Sequence, residues 1–432
     1  MRFKMLFLCL FFCADAFAQS LSEEEILLES MTDRVDDDYD FSELADRLLQ
    51  YRQNPLNINT ATQTQLAELF ILSPQQVASL LDHIRETDPL LSPEELQAVD
   101  HFDLPTIRRL LPYITIRPTA EKFSPRQILA LGKNDLMFRY GQTLQKQLGY
   151  TDRDGSRYLG GPQRYLIRYR FNYVNRLLVS LNAEKDAGEP FFAAQNKQGF
   201  DFYSGSLAWS PQHSAIKKVI AGDFALQFGQ GLSLYTGLSF GKSADISMIP
   251  KAGRGLAPYT STNEVSFFRG ISATIGTKNL NFTPFFSYRK MDASIDRKTG
   301  LAGSLQQSGY HRTLTEFRNK GSVAMLVTGA DLNYSRGAFS LGGNFYHAKT
   351  DQLFAAGQRI YDRFDFSGNR LSNGSIYGSL SVNNTYFFAE AAKSLHGGTA
   401  FLAGSISSLT DKISVTLLAR NYGRDYRSMF NQ

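Results

Sequence analysis

The sequence predicts an α + β multidomain protein, in which a small all-α domain of tandem helical hairpins precedes an antiparallel transmembrane β-barrel. Two copies of a helix–turn–helix pattern occupy residues 55–118. Beyond residue 118, helical leucine spacing gives way to alternating segments of glycine, aromatic and β-branched residues. Charge divides the chain at the same place: residues 19–118 carry 7 basic and 19 acidic residues, a net of −12, and residues 119–432 carry 37 and 21, a net of +16.

Residues 1–18 predict a cleaved signal peptide. A basic start, an apolar run over residues 5–13 and the small-residue cleavage site Ala16-Phe17-Ala18 are typical of export signals. The apolar run is too short to cross a bilayer as a helix. Both cysteines, Cys9 and Cys13, lie in this segment, so we expect no thiol chemistry and no cysteine-ligated metal in the processed protein.

Residues 19–54 form a strongly acidic lead-in, with eleven acidic and three basic residues. Leu44, Leu48 and Leu49 have helical spacing, which predicts one helix from Phe41 to Gln53. The acidic run lacks the glycine and late glutamate of a calcium-binding loop, so we interpret it as a solvated surface.

Residues 55–118 predict four short helices. Three pairs have the spacing of a capping box, in which a hydroxyl and a side chain three residues on satisfy free amides at a helix start. They are Thr60 with Gln63, Ser73 with Gln76, and Ser92 with Glu95. Pro74 and Pro93 occupy first-turn positions, where helices tolerate proline.

This region resembles the tandem helix-hairpin-helix domain, most closely the competence-type DNA receptor version, from Leu56-Asn57-Ile58-Asn59-Thr60-Ala61 to Leu110-Leu111-Pro112-Tyr113-Ile114. In that family each hairpin turn reads Gly, hydrophobic, Gly, and its backbone amides hold a DNA phosphate. The corresponding turns here are Ile71-Leu72-Ser73 and His101-Phe102-Asp103, which contain no glycine. The resemblance makes these turns, with the following Arg108 and Arg109, the candidate contact site for a phosphate or a partner.

Two functions remain open for the hairpin domain. Residues 55–118 carry four basic and eight acidic residues, a net of −4, whereas DNA binding draws most of its sequence-independent affinity from positive charge. The charge and the missing glycines favour a docking or structural adaptor for a periplasmic or membrane protein, serving transport or envelope assembly. The alternative is DNA binding or uptake through the same domain.

Residues 119–432 predict the barrel. Thirteen segments alternate as transmembrane β-strands do, with tight turns and long loops between them. The segments are Asp135–Gln142, Gln163–Tyr173, Arg176–Glu184, Phe200–Trp209, Lys217–Phe228, Val265–Gly276, Asn279–Arg289, Ser322–Tyr334, Ala338–His347, Ser375–Asn383, Thr385–Lys393, Thr399–Ser408 and Lys412–Tyr422.

The strand number is odd, whereas bacterial single-chain barrels have an even number. Either a further strand exists near Leu232–Ser239, or this is a shortened version of a longer barrel. The arrangement resembles a family of envelope proteins that join an N-terminal hairpin domain to an outer-membrane barrel. Residues 222–232 (GDFALQFGQGL) and 258–264 (PYTSTNE) carry that resemblance. It implies an outer-membrane barrel with the hairpin domain in the periplasm.

Few residue patterns in the sequence indicate catalysis or the binding of a ligand. We therefore expect that the protein is not an enzyme and holds no cofactor or metal. Gly237-Leu238-Ser239-Phe240-Gly241 fits a nucleophile motif, but that motif requires a strand-to-helix elbow, and its surroundings are strand-like. An outer-membrane hydrolase therefore remains a second alternative. The six histidines have no metal-ligand spacing. The positive charge of the barrel suggests outer-membrane lipid as a partner, through the phosphates of lipopolysaccharide.

Overall fold

The computed structural model describes residues 42–87, 89–116, 124–151, 157–193, 196–211, 214–237, 246–296, 298–355, 364–410 and 413–431. The predicted signal peptide, most of the acidic lead-in and Ser239 lie outside these residues. None of the described helices combines the length and apolar composition needed to cross a membrane.

The N-terminal part of the chain, residues 42–116, is a helical unit that we call the head. Its helices pack around one apolar cluster that includes Leu48, Leu66, Leu80 and Leu110. A short parallel pair of strands joins its two ends, with Leu56 opposite Ile114. The elements are helices Ser42–Gln53 (α1), Gln63–Ala67 (α2), Pro74–Thr87 (α3) and Leu104–Leu110 (α4), 3-10 turns Pro93–Ala98 and Leu111–Tyr113, and strands Leu56–Asn57 (β1) and Ile114–Thr115 (β2).

One of the three predicted capping boxes forms as expected. The amide of Ser73 donates to Gln76 Oε1 at 2.9 Å, and the amide of Gln76 donates to Ser73 Oγ at 3.2 Å. The box predicted at Thr60 was wrong by two residues, because Thr60 bonds back to the Asn57 carbonyl and Thr62 caps the helix instead. Ser92 makes no side-chain cap bond, because a 3-10 turn replaces the predicted α-helix there.

Replacing Thr62 with alanine should destabilise the second helix by about 1 kcal/mol, because the cap bond to the Gln65 amide is lost. Amide hydrogen exchange over residues 63–72 measures the effect. Ser92→Ala is the matched control and should leave exchange unchanged, since Ser92 caps nothing through its side chain. Equal effects from the two substitutions would contradict this assignment of the cap.

Beyond the head, a helix Pro125–Leu131 (α5) leads into a sixteen-stranded sheet. Thirteen of its strands form one continuous antiparallel path, and they confirm the thirteen predicted segments with shifts at the ends. These strands are Lys133–Gln142 (β3), Gln163–Tyr173 (β4), Leu177–Lys185 (β5), Phe202–Trp209 (β6), Ile216–Gln227 (β7), Phe268–Gly276 (β9), Leu280–Met291 (β10), Val323–Arg336 (β13), Phe339–Phe354 (β14), Gly368–Val382 (β15), Thr385–Ser394 (β16), Thr399–Thr410 (β17) and Ile413–Tyr422 (β18).

Three shorter strands, which the sequence analysis missed, attach to this path. They are Gly255–Pro258 (β8), Ala293–Ile295 (β11) and Ala302–Leu305 (β12). A short helix, Leu314–Asn319 (α6), follows the last two of them in the connection between strands β10 and β13. They were missed because strands of three or four residues are too short to show an alternating pattern.

The two faces of the sheet have inverted polarity. Along the central strand Phe339–Phe354 buried and exposed positions alternate, with Leu341 and Phe345 exposed on the outer face and Asn344 buried on the inner face. The outer face exposes apolar residues of the same kind on neighbouring strands, among them Leu207, Ile271, Phe286, Leu332, Ile376 and Phe387. The inner face buries polar residues, among them Arg168, Ser180, Asn182, Asp331, Asn373 and Glu390.

The sheet curves around two segments that fill its interior. The first, the inner loop (the described part of residues 223–258), includes the last five residues of strand β7 and all of strand β8. It begins where pairing with strand β6 ends at Gly222, whose φ is 98°. The second, the terminal segment (residues 424–431), follows the last strand. They meet each other where the Tyr235 amide donates to the Phe430 carbonyl at 2.7 Å. The Gln230 amide of the inner loop donates a hydrogen bond to Glu390 Oε2 of strand β16 at 2.6 Å.

The extra strand predicted near Leu232–Ser239 is absent from the described residues of that segment. Leu234 forms only an isolated bridge to Phe430, and Tyr235 forms another to Gln227. Both residues are buried inside the curve of the sheet. The prediction was wrong because an apolar run that fills a barrel has the same composition as one that forms its wall.

The head sits at the end of the sheet that carries the short turns. Gln50 Nε2 donates to Asn175 Oδ1 at 3.1 Å, and Asn175 Nδ2 donates to the Asn54 carbonyl at 2.7 Å. At another turn, Gly337 has φ 58°, and an added Cβ would lie 2.1 Å from Asp82 of the head. Glycine is therefore needed there both for the left-handed turn and for the close approach of the head.

Candidate functional site

The candidate site is the buried contact between the head and the inner loop. Lys218 Nζ, from the sheet, lies 2.9 Å from Glu68 Oε1 of the head. The same ammonium group donates to the Leu256 carbonyl of the inner loop at 3.1 Å. Tyr51 donates to the second carboxylate oxygen of Glu68 at 2.7 Å. One lysine therefore joins the head, the sheet wall and the inner loop.

The charge of Glu68 depends on these neighbours. Glu68 is 7% exposed, and burial alone would raise the pKa of its carboxyl group. The positive charges of Lys218 and Arg47, with the bond from Tyr51, outweigh burial and lower that pKa below 4.5. Burial and the adjacent Glu68 raise the pKa of Tyr51 well above its ordinary value, so Tyr51 remains a hydrogen-bond donor.

A second contact lies beside the first. The guanidinium of Arg254, from the inner loop, stacks 4.7 Å from the ring centroid of Phe70 in the head. Arg254 is almost fully buried, and its Nε donates to Gln227 Oε1 at 2.6 Å. A buried cation over an aromatic face is worth more than an exposed one, because water does not compete for it.

Phe70 holds an unusual backbone conformation, with a φ of 55°. Left-handed conformations cost bulky residues energy and persist where surrounding contacts enforce them. His101, in the second hairpin, has a φ of 67°. The left-handed residue of the first turn is thus Phe70, which directly precedes the predicted turn residues Ile71-Leu72-Ser73.

The predicted turn residues lie in two different environments. Ile71, Leu72 and Ser73 are buried, the first two within the apolar cluster of the head. His101 and Phe102 are half-buried, and the Asp103 carboxylate caps the next helix through the Thr106 amide at 2.8 Å. Arg108 and Arg109 are exposed. The two turns are linked, because Gln76 Nε2 donates to the His101 carbonyl at 3.0 Å. Contact of these residues with a phosphate or a partner stays a prediction.

A cavity of about 1440 Å³ separates other parts of the head from the interior of the sheet. Its lining combines head residues with inner-face residues of the strands and with the inner loop, among them Thr64, Lys217, Lys218, Thr283, Asp331 and Asn333. The lining has both apolar and polar surface and includes basic side chains.

A second polar cluster lies among the long loops at the opposite end. His311 sits between two carboxylates, with Nδ1 2.5 Å from Asp201 Oδ2 and Nε2 2.7 Å from Asp292 Oδ2. Lys320 Nζ lies 2.7 Å from Asp201 Oδ1, and the His311 amide donates to Glu189 Oε1 at 2.9 Å. The cluster joins the loop before strand β6 to the loop after strand β10.

The histidine in this cluster is held as a cation. Burial opposes charge on His311, but its bonds to Asp201 and Asp292 raise its pKa to about 10. Burial, together with the negative charge of Asp201, raises the pKa of Glu189 to about 7. Donor atoms of Glu189, Asp201 and His311 lie within 4.8 Å of one another, as in a metal site. However, a metal would need a neutral imidazole nitrogen, and both nitrogens already bond to carboxylates.

The sequence analysis missed this cluster. Asp201 and His311 are 110 residues apart, and Asp292 and Lys320 belong to the same long loop without any motif spacing. Only the pairing of the strands that carry these loops brings the residues together.

Comparison with known proteins identifies no family for this chain. No family model matches, and no curated protein matches. Among solved structures, a triple mutant of Rhodopseudomonas blastica porin is 12% identical, with a TM-score of 0.21 over 60% of this chain and 84% of the porin. A structure described as "Asymmetric conductivity of engineered proteins" is 12% identical, with a TM-score of 0.20 over 67% of this chain and 94% of the other. Matches at these TM-scores do not establish a shared fold.

Proposed function

We propose that this protein is a non-enzymatic outer-membrane β-barrel that works as a gated channel, with the head closing it from the periplasm. The observation that carries the proposal is the buried contact of Lys218 with Glu68 of the head and the Leu256 carbonyl of the inner loop. Lys218 contacts both the head and the inner loop. Displacement of the head therefore weakens the contact that fixes the inner loop inside the barrel.

The inverted polarity of the sheet supports a membrane location. Phe286 and Leu341 are 46% and 49% exposed on the outer face, in a band of similar residues, while polar groups are buried inside. A soluble protein rarely exposes an apolar surface that continues across many strands. Strands with apolar residues outside and polar residues inside are typical of transmembrane barrels.

The two ends of the sheet support the orientation. The head contacts the short turns at Asn175 and Gly337, whereas the His311 cluster ties long loops at the other end. Outer-membrane barrels keep short turns in the periplasm and long loops outside. This arrangement supports a position of the head on the periplasmic side.

The filled interior supports a closed resting state. Phe224, Leu226 and Leu234 of the inner loop are buried against strands on both sides of the curve. Phe430 of the terminal segment packs against Phe268 with ring centroids 4.7 Å apart. A solute can pass only if the inner loop moves.

Reconstitution of the full chain in liposomes tests this function. We expect the protein to enter the bilayer, to migrate differently heated and unheated on a denaturing gel, and to admit small sugars little faster than protein-free liposomes. The heated sample is the internal control for folding. If the protein stayed soluble after envelope lysis and migrated identically heated and unheated, it would not be a membrane barrel. If its liposomes admitted sugar rapidly without any treatment, the resting state would not be closed.

A docking role for the head is a second candidate. Leu91, 86% exposed, and Leu104, 52% exposed, lie on its surface near Glu94 and Glu95, a combination that suits a basic protein partner. No observation on the described residues favours DNA binding, since the first hairpin turn is buried and the head is acidic. Binding of lipopolysaccharide phosphates to the loops, and hydrolase activity through Ser239, stay predictions.

A further inference from the structure

The cavity between the head and the sheet has an excess of basic side chains in its wall. Among the described residues, six lysine or arginine side chains line it, against one carboxylate, that of Asp331. The six basic residues are Arg176, Lys217, Lys218, Lys251, Arg254 and Lys278. They belong to two short turns, to strand β7 and to the inner loop. Positive charge therefore reaches the cavity from several elements and not from one.

The head does not neutralise this charge, although the head is acidic as a whole. The described head residues that line the cavity are uncharged, and several have hydroxyl or amide side chains that can donate hydrogen bonds to an anion. Among them are Asn57, Thr60, Thr62, Gln63, Thr64 and Gln65. The head therefore adds neutral donors to a wall whose cations come from the barrel.

Three carboxylates lie beside the lining cations, and each is held by another group. Glu68 is paired with Lys218, as described above. Asp331 Oδ1 accepts a hydrogen bond from the Tyr377 hydroxyl at 2.7 Å, and Glu390 Oε2 accepts one from a backbone amide of the inner loop. Even with all three carboxylates ionised, six cations leave a balance of 6 − 3 = +3.

The inner loop fixes two of the cations in the cavity wall. The Lys251 amide donates to Gln230 Oε1 at 2.9 Å. Two residues further on, Gly253 packs so closely against strand β7 that an added Cβ would lie 2.8 Å from the Gln227 carbonyl oxygen. Arg254 then donates to the side chain of the same Gln227. This close packing holds Lys251 and Arg254 on one short segment that lines the cavity.

The size of the cavity and its access to solvent indicate the kind of ligand. Its volume of about 1440 Å³ exceeds the roughly 300–1,000 Å³ of pockets for drug-sized ligands, so an organic molecule fits. Lys278 and Gln53 line the cavity and are also exposed, so solutes reach it from the end of the sheet with the short turns. A ligand with two or more charges can contact several of the separated cations, whereas a singly charged one cannot.

We propose that this cavity binds small organic anions that carry two or more negative charges, as phosphate or carboxylate groups. Lys251, Arg254 and Lys278 supply the charged contacts, and the hydroxyl and amide groups of the head bind the remaining oxygens. Hydrogen bonds between charged groups are about twice as strong as those between neutral groups. The proposal rests on the proposed function, because it names the solutes that the channel favours when the head moves.

Calorimetric titration of the folded full chain in detergent tests the site without any transport. Glucose 6-phosphate, glucose and glucosamine share one ring and differ in charge, and citrate represents the carboxylates. We expect glucose 6-phosphate and citrate to bind at least roughly tenfold more tightly than glucose and glucosamine. Binding of one anion alone would keep the site and restrict it to phosphate or to carboxylate. Failure of both anions to bind, or equal affinity for glucose and glucose 6-phosphate, would overturn the proposal.

Substitution of the lining lysines shows whether the anion occupies this cavity. Lys251→Gln and Lys278→Gln should each weaken the binding of glucose 6-phosphate roughly tenfold, because each removes one charged contact. Lys278 is exposed in a short turn, so its replacement should not disturb the fold, and the heat-dependent mobility shift checks both variants. Lys393→Gln is the matched control, an exposed lysine of strand β16 outside the cavity lining, and should bind as the wild type does. Unchanged affinity in both lining variants would overturn the proposal.

An opened channel tests the consequence for transport. Glu68→Gln removes the carboxylate that pairs with Lys218 and keeps all six lining cations. In liposomes with this variant, we expect glucose 6-phosphate to enter roughly tenfold faster than glucosamine, and Lys278→Gln to reduce that ratio severalfold. Equal entry of the two solutes, in inserted and heat-modifiable protein, would overturn the anion preference and leave the channel intact. If no solute entered, the head contact would not be the gate, and the titration alone would decide the site.

Discussion

Lys218→Glu should release the head from the inner loop and open the barrel. The substitution removes the cation that contacts Glu68 and adds a second carboxylate beside it, in a site where the two side chains are 19% and 10% exposed. Breaking a buried ion pair costs about 3–5 kcal/mol, reduced here to about 2–3 kcal/mol because Lys218 keeps some solvent. The ratio of closed to open protein should fall by roughly 30- to 150-fold, measured as faster entry of small sugars into liposomes.

Charge exchange is the control for this experiment. The double variant Glu68→Lys with Lys218→Glu restores an opposite-charge pair in the same place and should recover much of the closed state. Lys217→Glu is the matched single control, because Lys217 is adjacent to Lys218 in the sequence but does not contact Glu68. If liposomes with the Lys218→Glu variant admitted sugar no faster than liposomes with Lys217→Glu, the contact between Glu68 and Lys218 would not keep the channel closed.

Lowering the pH should open the channel, as the Lys218→Glu substitution does. The pKa of Glu68 is lower in the folded protein than its ordinary value of 4.5. Its contribution to closure is therefore present above 4.5 and is lost as the pH falls through the lower, folded value. We expect sugar entry to rise in that acid range, and to rise at a higher pH in Tyr51→Phe, which lacks the bond that helps to lower the pKa of Glu68. An acid response that is identical in Glu68→Gln would assign the effect to another group.

His311→Ala should free the long loops at the opposite end of the barrel. The substitution leaves Asp201 and Asp292 facing the space of the lost cation, with Lys320 as the remaining positive charge. Removing one partner from a buried charged network costs about 3–5 kcal/mol. Trypsin should then cut within residues 312–320 roughly a hundredfold faster or more, since cleavage follows the population of the open loop.

His347→Ala is the control for the loop experiment. His347 bonds to a neutral hydroxyl, Ser372 Oγ, at 2.7 Å, so its loss leaves no unpaired charge. Cleavage at residues 312–320 should stay at the wild-type rate in that variant. An equal increase in both variants would show general loosening of the barrel and not release of the cluster.

The cluster should also open in alkali. A histidine with a raised pKa contributes fully below 6.5 and loses its contribution as the pH rises through about 10. Glu189 responds at lower pH, because its pKa is raised to about 7 and deprotonation there adds negative charge beside Asp201. We expect loop cleavage in the wild type to rise as the pH passes through about 10, and His311→Ala to show no such step. A step that persists without His311 would contradict the assignment.

Much of the sheet could be predicted because its signal is local. A strand whose two faces differ in polarity alternates with a period of two, so Gln163–Tyr173 was recognised to the residue. The cap at Ser73 was predicted for the same reason, since a hydroxyl and a glutamine three residues on are enough to define it. Thr60 failed because a competing turn to Asn57 used its hydroxyl.

The candidate site could not be predicted because its residues are far apart in the sequence and meet only in the folded protein. Glu68 and Lys218 are 150 residues apart, and nothing near either residue distinguishes a buried ion pair from two surface charges. The apolar run near Leu232–Ser239 was interpreted as a possible further strand, since composition does not distinguish a strand of the wall from a segment filling the interior.

The sequence alone determined the order of the chain, an acidic helical part before a basic sheet, together with the thirteen strands of the continuous antiparallel path. Those properties follow from residue type and spacing, which act over a few residues. Only the tertiary structure decided that the head lies against the short turns, that the inner loop fills the interior, and that Glu68 and Lys218 meet. These contacts depend on which strands are neighbours, and strand pairing is a property of the whole sheet.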